Sequence, residues 1–317
     1  MTAGRGGAAH LEGRCMAGSS GLLQGKICMV TGATSGIGAV TARELALLGG
    51  TVVIVGRHAG RCARQVERIQ REIPGALVEA LVADLSSQAQ IRRLVEQFGS
   101  RFERLDVLVN NAGSYFMKRR VSADGLEMTF ALNHLSFFLL TLLLVKQLGA
   151  SPSARVVNVS SSAHAGREID FEDLQGEKRY DRHEAYGRSK LANLLFTYEL
   201  ARLLKATRVT ANALHPGTVA TNLGRDNGWL RGWLRVRTRN LLKRTQMTPA
   251  QGARTLVHLA SSPEVEGESG RYFVDCRPVR SSRASYDEAA AARLWRISED
   301  LTGVRWRVGS VTGTAAD

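Results

Sequence analysis

Seven short runs of β-branched and aliphatic residues, at 26–31, 51–55, 77–83, 105–109, 155–160, 209–214 and 272–274, are apolar almost throughout. A strand with one wet face alternates apolar and polar residues, so runs like these describe strands covered on both faces. Helical periodicity fills the intervals, at 36–48, 61–72, 88–98, 125–148, 184–204 and 249–260, with a last helix over 286–296. Repeated βα units joined by right-handed crossovers leave few arrangements. The expectation is an α/β fold: a doubly wound, mostly parallel, seven-stranded sheet with helices on both faces. No repeat or long linker interrupts the pattern, so 22–304 reads as one domain. The stretches 1–21 and 305–317, small and polar without periodicity, are expected to be disordered extensions.

Composition narrows the function classes. The four cysteines (Cys15, Cys28, Cys62 and Cys276) have no paired spacing, which argues against a zinc site or a disulfide framework and suits a reducing cytoplasm. No apolar N-terminal segment resembles a signal peptide. The longest membrane-like run, 137–145, is far short of the roughly 20 residues that a spanning helix needs. The net charge of +14 favours anionic partners. No nucleic-acid motif accompanies it, so a phosphorylated cofactor is the expected anion and nucleic acid is not.

The first strand runs directly into Thr31-Gly32-Ala33-Thr34-Ser35-Gly36-Ile37-Gly38 and then a helix. Glycines at these positions permit a tight turn and let a pyrophosphate reach the helix N-terminus. The second strand ends at Val55-Gly56-Arg57. A carboxylate about 20 residues past the turn binds the ribose hydroxyls in NAD enzymes. Here Arg57, assisted by Arg61, offers a guanidinium to a 2′-phosphate instead, which predicts NADP(H).

Tyr186 and Lys190 are four apart in a helical stretch and share one face, about 6 Å apart along the axis. A free phenol titrates near about 10, and a neighbouring ammonium is expected to draw that value down. Asn158-Val159-Ser160-Ser161 ends the fifth strand and places hydroxyls at the carboxyl edge of the sheet, where such sheets bind ligands.

Together these motifs resemble the short-chain dehydrogenase/reductase family, with its Rossmann-type sheet, over roughly 23–303. The resemblance implies that Gly32, Thr34, Ser35, Gly36, Ile37 and Gly38 hold the cofactor phosphates. It implies that Asp84 and Leu85 meet the adenine, and that Asn111, Ala112 and Gly113 close the fourth strand beside the cofactor. Pro216, Gly217 and Thr221 pass the nicotinamide, and His215 shapes the turn before Pro216. Tyr186, Lys190 and Ser161 become catalytic, with Asn133 completing a proton relay through a water. Ser160 and Ser162 lie near enough to Ser161 to compete for its role. Tyr186 and Lys190 also contact the cofactor.

Ser160-Ser161-Ser162-Ala163-His164, Asp173-Leu174-Gln175-Gly176-Glu177-Lys178 and Ser189-Lys190-Leu191-Ala192-Asn193 look like the retinol dehydrogenase branch. That branch interconverts apolar aldehydes or ketones and alcohols, usually with NADP(H). Two departures stand out: many members carry an N-terminal membrane anchor not visible here, and Ser136 replaces the glycine expected after Asn133-His134-Leu135.

An insertion over about 219–247 is expected to cover the substrate. Its segment 225–244 interleaves seven basic residues with Trp229, Trp233 and leucines, as an amphipathic helix would. Such a helix closes over an apolar substrate or lies on an anionic membrane surface. The resulting expectation is a cytoplasmic or membrane-peripheral carbonyl reductase, in a family whose members often form homo-oligomers. A non-catalytic NADP-binding module that reports redox state is the rival reading.

Overall fold

The computed structural model describes residues 21–217, 219 and 247–306. The extension before Gly21, Thr221, the 225–244 segment and the end of the chain beyond 306 lie outside the described residues.

Eight strands form one sheet: β1 Ile27–Thr31, β2 Thr51–Gly56, β3 Val78–Val82, β4 Val107–Asn110, β5 Ala154–Val159, β6 Val209–Leu214, β7 Tyr272–Val274 and β8 Arg277–Val279. Their order is β3-β2-β1-β4-β5-β6-β7-β8, and all neighbouring pairs are parallel except β7 with β8. The expected seven strands are therefore eight. The added one is exposed at every position and contains Pro278, which only an edge strand tolerates, so it has no apolar signature. Its hairpin turns on Asp275 (φ 46°) and Cys276 (φ 62°), with a cysteine where glycine usually marks such a turn. The Thr255 hydroxyl accepts the Cys276 N–H at 3.1 Å and holds the turn.

Helices α1 Gly36–Leu47, α2 Ala59–Glu72, α3 Gln88–Gly99, α7 Arg182–Leu203, α8 Pro249–Ser261 and α9 Glu288–Thr302 cover both faces. On one face Ile37, Leu45 and Leu256 pack on β1 and β2 through Val30 and Ile54. On the other, Phe98, Phe137, Phe138 and Phe196 pack with Trp295, whose ring meets Phe138 edge-on at 5.0 Å. Burying such rings and aliphatic side chains stabilises the fold by roughly 1.5–3 kcal/mol each. Trp295 is thus a packing anchor. No helix among the described residues is long and apolar enough to cross a membrane.

The single helix expected over 125–148 is broken. A short turn, α4 Met128–Phe130, is capped by the Glu127 carboxylate, which accepts from the Thr129 and Phe130 N–H groups at 2.8 Å each. A π-helical turn, Ala131–Leu135, follows, then α5 Ser136–Leu143 and α6 Val145–Gly149. In the π turn the Ser136 N–H donates to Ala131 O, one residue further back than in an α-helix. The Leu132 carbonyl is thereby deprived of that donor, and the Ser136 hydroxyl donates to it at 2.6 Å. The serine in place of glycine makes a contact a glycine cannot: its hydroxyl bonds back to the carbonyl four residues before it at the π turn.

Candidate active site

Strand order reverses between β1 and β4, and the crevice at their carboxyl ends is the expected ligand position for such a sheet. One hydroxyl organises it. Thr31 Oγ1 donates to Val109 O (3.1 Å) and accepts from the N–H groups of Asn111 (2.9 Å) and Ala112 (3.0 Å). Asn111 Nδ2 returns a bond to Thr31 O at 2.8 Å. The two loops are thus tied so closely that glycine is required. Gly32 has φ +66°, and a Cβ there would sit 2.9 Å from Ala112 Cα; one on Gly38 would sit 2.6 Å from Gly32 O.

Helix α1 opens onto this crevice with no acidic residue in its first turn, and the Ser35 side chain does not cap it. Its first N–H groups are therefore available to an anion. Thr34, Ser35, Gly36 and Ile37 line the cleft beside Gly32 and Gly38, as do Asp84, Leu85, Asn111, Ala112, Gly113, Pro216 and Gly217. One Asp84 oxygen accepts from Ser86 N (2.9 Å) and Ser86 Oγ (2.7 Å), which fixes the carboxylate at the end of β3. A turn with glycines at 32, 36 and 38, leading into a helix N-terminus, fits a dinucleotide pyrophosphate.

At the end of β2 a side chain is excluded as well. A Cβ on Gly56 would approach Thr34 Cγ2 to 2.5 Å and Cys62 Sγ to 2.9 Å. Arg57, His58 and Arg61, all exposed, line the same end of the cleft. His58 belongs to no sequence motif; its only sequence signal is its place just before α2, whose N-cap it is.

The chemical group lies further along the cleft. Ser160 and Ser161 face opposite ways, as consecutive extended residues do. Ser160 is buried and donates to Lys190 O at 2.8 Å, so it packs β5 on α7. Ser161 lines the cleft together with Tyr186. Ser162 is exposed. Lys190 is buried, donates from Nζ to Val159 O at 3.2 Å and stands 5.7 Å from the Tyr186 ring centre. Burial lowers its pKa from the ordinary 10.5 to about 8.

The expected depression of the Tyr186 pKa is not found. Burial of the phenol raises it, opposed by the Ser161 hydroxyl, because desolvation penalises the phenolate. Lys190, held towards Val159 O, does not reverse that.

Asn133, on the π turn, is fully buried. Its Nδ2 donates to Ser114 O (3.0 Å) and Ser189 Oγ (3.1 Å), and its Oδ1 accepts from Ser114 N (2.8 Å). The amide fastens the 113–115 loop to α7, and both its protons are used in doing so. Below it a buried polar chain joins the layers. Asn110 Nδ2 donates to Thr141 Oγ1 (3.0 Å) and Asn158 Oδ1 (2.9 Å), and Asn158 Nδ2 donates to Thr197 Oγ1 (3.0 Å). His215 accepts the Gly217 N–H on Nδ1 at 3.0 Å, as a turn-shaping residue should.

Sequence reasoning passed over Val55, Ser114, Leu132 and Val159, which also line the cleft. It also passed over Tyr115, whose ring meets Tyr186 edge-on at 5.6 Å. Tyr115 follows the Asn110-to-Gly113 motif by two residues, and that proximity was the available signal.

A parallel sheet with this strand order, a glycine turn at its reversal and a serine, tyrosine and lysine converging beside it define a class. The chain belongs to the short chain dehydrogenase family, whose pattern matches residues 26–228. Such proteins bind a nicotinamide cofactor and interconvert small alcohols and carbonyl compounds. Within the family the chain falls in the retinol dehydrogenase-like branch. It is 43% identical over 302 residues to retinol dehydrogenase 14 of Homo sapiens, covering 90% of this chain and 89% of that one. It is 40% identical to polyprenol dehydrogenase of Homo sapiens, over 88% and 86% of the two chains. Among solved structures, an uncharacterized protein from Mycobacterium paratuberculosis superposes with a TM-score of 0.72 at 35% identity, covering 92% of this chain and 98% of that one. The Pseudomonas aeruginosa RhlG/NADP active-site complex superposes with a TM-score of 0.62 at 29% identity, covering 79% and 94%.

Proposed function

We propose that this protein is an NADP(H)-dependent oxidoreductase that interconverts apolar aldehydes or ketones and the corresponding alcohols. The observation that carries the reading is the meeting of Ser161, Tyr186 and Lys190 in the cleft that the glycine turn opens. The names of its relatives, retinol and polyprenol dehydrogenases, point to long apolar alcohols. The choice of NADP(H) rests on Gly56, which offers no carboxylate and where a side chain would press on Thr34 and Cys62, and on the basic Arg57 and Arg61 beside it.

In this reading the α1 N-terminus and Gly32 to Gly38 hold the pyrophosphate, Arg57 and Arg61 the 2′-phosphate, and Asp84 with Leu85 the adenine end. Asn111, Ala112, Gly113, Pro216 and Gly217 flank the nicotinamide end, and Lys190 reaches its ribose. The cofactor supplies a hydride to the carbonyl carbon, or takes one from the alcohol. Ser161 and Tyr186 donate hydrogen bonds to the substrate oxygen and orient it. Burial keeps Tyr186 protonated at neutral pH, which is the form that gives a proton to the nascent alkoxide. The Lys190 ammonium stabilises the phenolate left behind. Asn133 holds the loop and helix that frame this exchange, and its amide protons are already engaged, so a relay water would meet its main chain.

The test is NADPH consumption by the purified protein with aldehydes and ketones of increasing apolarity, beside NADH and the Tyr186→Phe variant. Turnover that needs the tyrosine, prefers NADPH and grows with apolarity is expected. Tight NADPH binding without turnover of any carbonyl would instead favour a redox-sensing module.

A further inference from the structure

His164 ends the 3-10 turn Ser162–His164 that follows β5; it is 4% exposed, and the chemistry above does not use it. Both its ring nitrogens are bonded to main chain. Nδ1 lies 2.6 Å from Ser161 O, and Nε2 lies 3.1 Å from Ser282 N. A carbonyl only accepts and a peptide N–H only donates, so the tautomer is fixed: Nδ1 carries the proton and Nε2 the lone pair. Burial pushes this imidazole below its ordinary value, which favours the neutral ring that both bonds require. Tyr272 packs against it in a T-shaped contact at 5.3 Å, and His215 stacks on Tyr272 at 6.0 Å.

The consequence falls on Ser161. Its carbonyl accepts twice, from the His164 main chain at 3.1 Å and from Nδ1. Its hydroxyl oxygen accepts from Ala163 N at 3.2 Å and lines the same cleft as Tyr186. The main chain behind the serine is thus clamped by a ring that is itself held by Ser282, 118 residues away, at the entry to the turn Arg283–Tyr286 that precedes α9.

We propose that His164 is a positioning residue: it ties the Ser161 loop to the C-terminal segment and thereby sets the angle at which the Ser161 hydroxyl meets Tyr186. The inference rests on the reading of Ser161 and Tyr186 as the reacting pair.

Two conservative variants separate positioning from packing. His164→Asn places an amide where Nδ1 was and keeps the donor to Ser161 O, but loses Ser282. His164→Gln reaches towards Ser282 and abandons Ser161. Each loses one buried hydrogen bond, so their melting temperatures should fall alike. With the full chain, the glutamine variant is expected to lose about tenfold or more in kcat, with the KM for NADPH changed less than about twofold, while the asparagine variant stays near wild type. The 13Cζ resonance of Tyr186, assigned with Tyr186→Phe, reports how the phenol faces Ser161 without turnover. It should move in the glutamine variant and not in the asparagine one. Equal losses of kcat that track melting temperature, with that resonance unmoved in both, would make His164 a packing residue only. Were the wild type inactive on every carbonyl, the kinetic arm would count against the proposed function, and the resonance alone would decide the role of His164.

Discussion

The two halves of the cleft are built differently. The pyrophosphate end of its cofactor side comes from one contiguous stretch, β1, the turn to Gly38 and α1, closed by the four residues after β4. Its chemical side is assembled from β5, the π turn before α5 and the middle of α7, which are far apart in the chain. The first half is rigid because backbones touch, as at Gly32 and Ala112. The second depends on side chains that span layers, as Asn133 does from Ser114 to Ser189. Contiguous motifs place a ligand, whereas the reactive group exists only once the whole sheet has formed.

The comparison can be broken by showing that the halves do not separate. The largest effect expected is on the chemical side: Tyr186→Phe should lower kcat by about 10²–10⁴-fold, while NADPH affinity measured by fluorescence titration stays unchanged. On the cofactor side, Arg57→Ala should weaken NADPH binding by about tenfold to a hundredfold through loss of a charge-assisted contact, with NADH affinity and single-turnover rates little altered. A variant that moved both quantities together would erase the distinction.

Lys190 sharpens it through pH. Its pKa is lowered from 10.5 to about 8, so between those values the unfolded chain binds a proton that the folded protein does not. Through this group, stability rises with pH across that window. The stability of Lys190→Met minus that of the wild type, from urea unfolding, should therefore fall as pH increases over the same range. The smallest effect expected is at the π turn: Ser136→Ala leaves the Leu132 carbonyl without its hydroxyl donor and should cost about 1 kcal/mol, read as a lower urea midpoint with nearly normal turnover.

Legibility in the sequence follows the same division. Strands β1 to β7 announce themselves because burial on both faces demands continuous apolar runs, whereas β8 has an exposed proline and nothing apolar to repeat. The glycine turn is visible because close backbone approach admits no other residue. The broken helix is not, since a single π turn slips the pattern by one residue and leaves it apolar; Ser136 was the visible sign of it. The shift of Tyr186 was misjudged because four-residue spacing reveals a neighbouring ammonium but not the burial that outweighs it. His164 stood in a noticed motif, yet its partner Ser282 lies too far along the chain for spacing to suggest.

Gly56 also constrains how the cofactor preference of such a protein can be re-engineered. Placing an aspartate there, the simplest route to an acidic ribose contact, drives its first carbon into Thr34 and Cys62. Those two residues must yield before the carboxylate brings any benefit. A design campaign that begins with that substitution has also to repack those two side chains, whereas a route through position 57 does not.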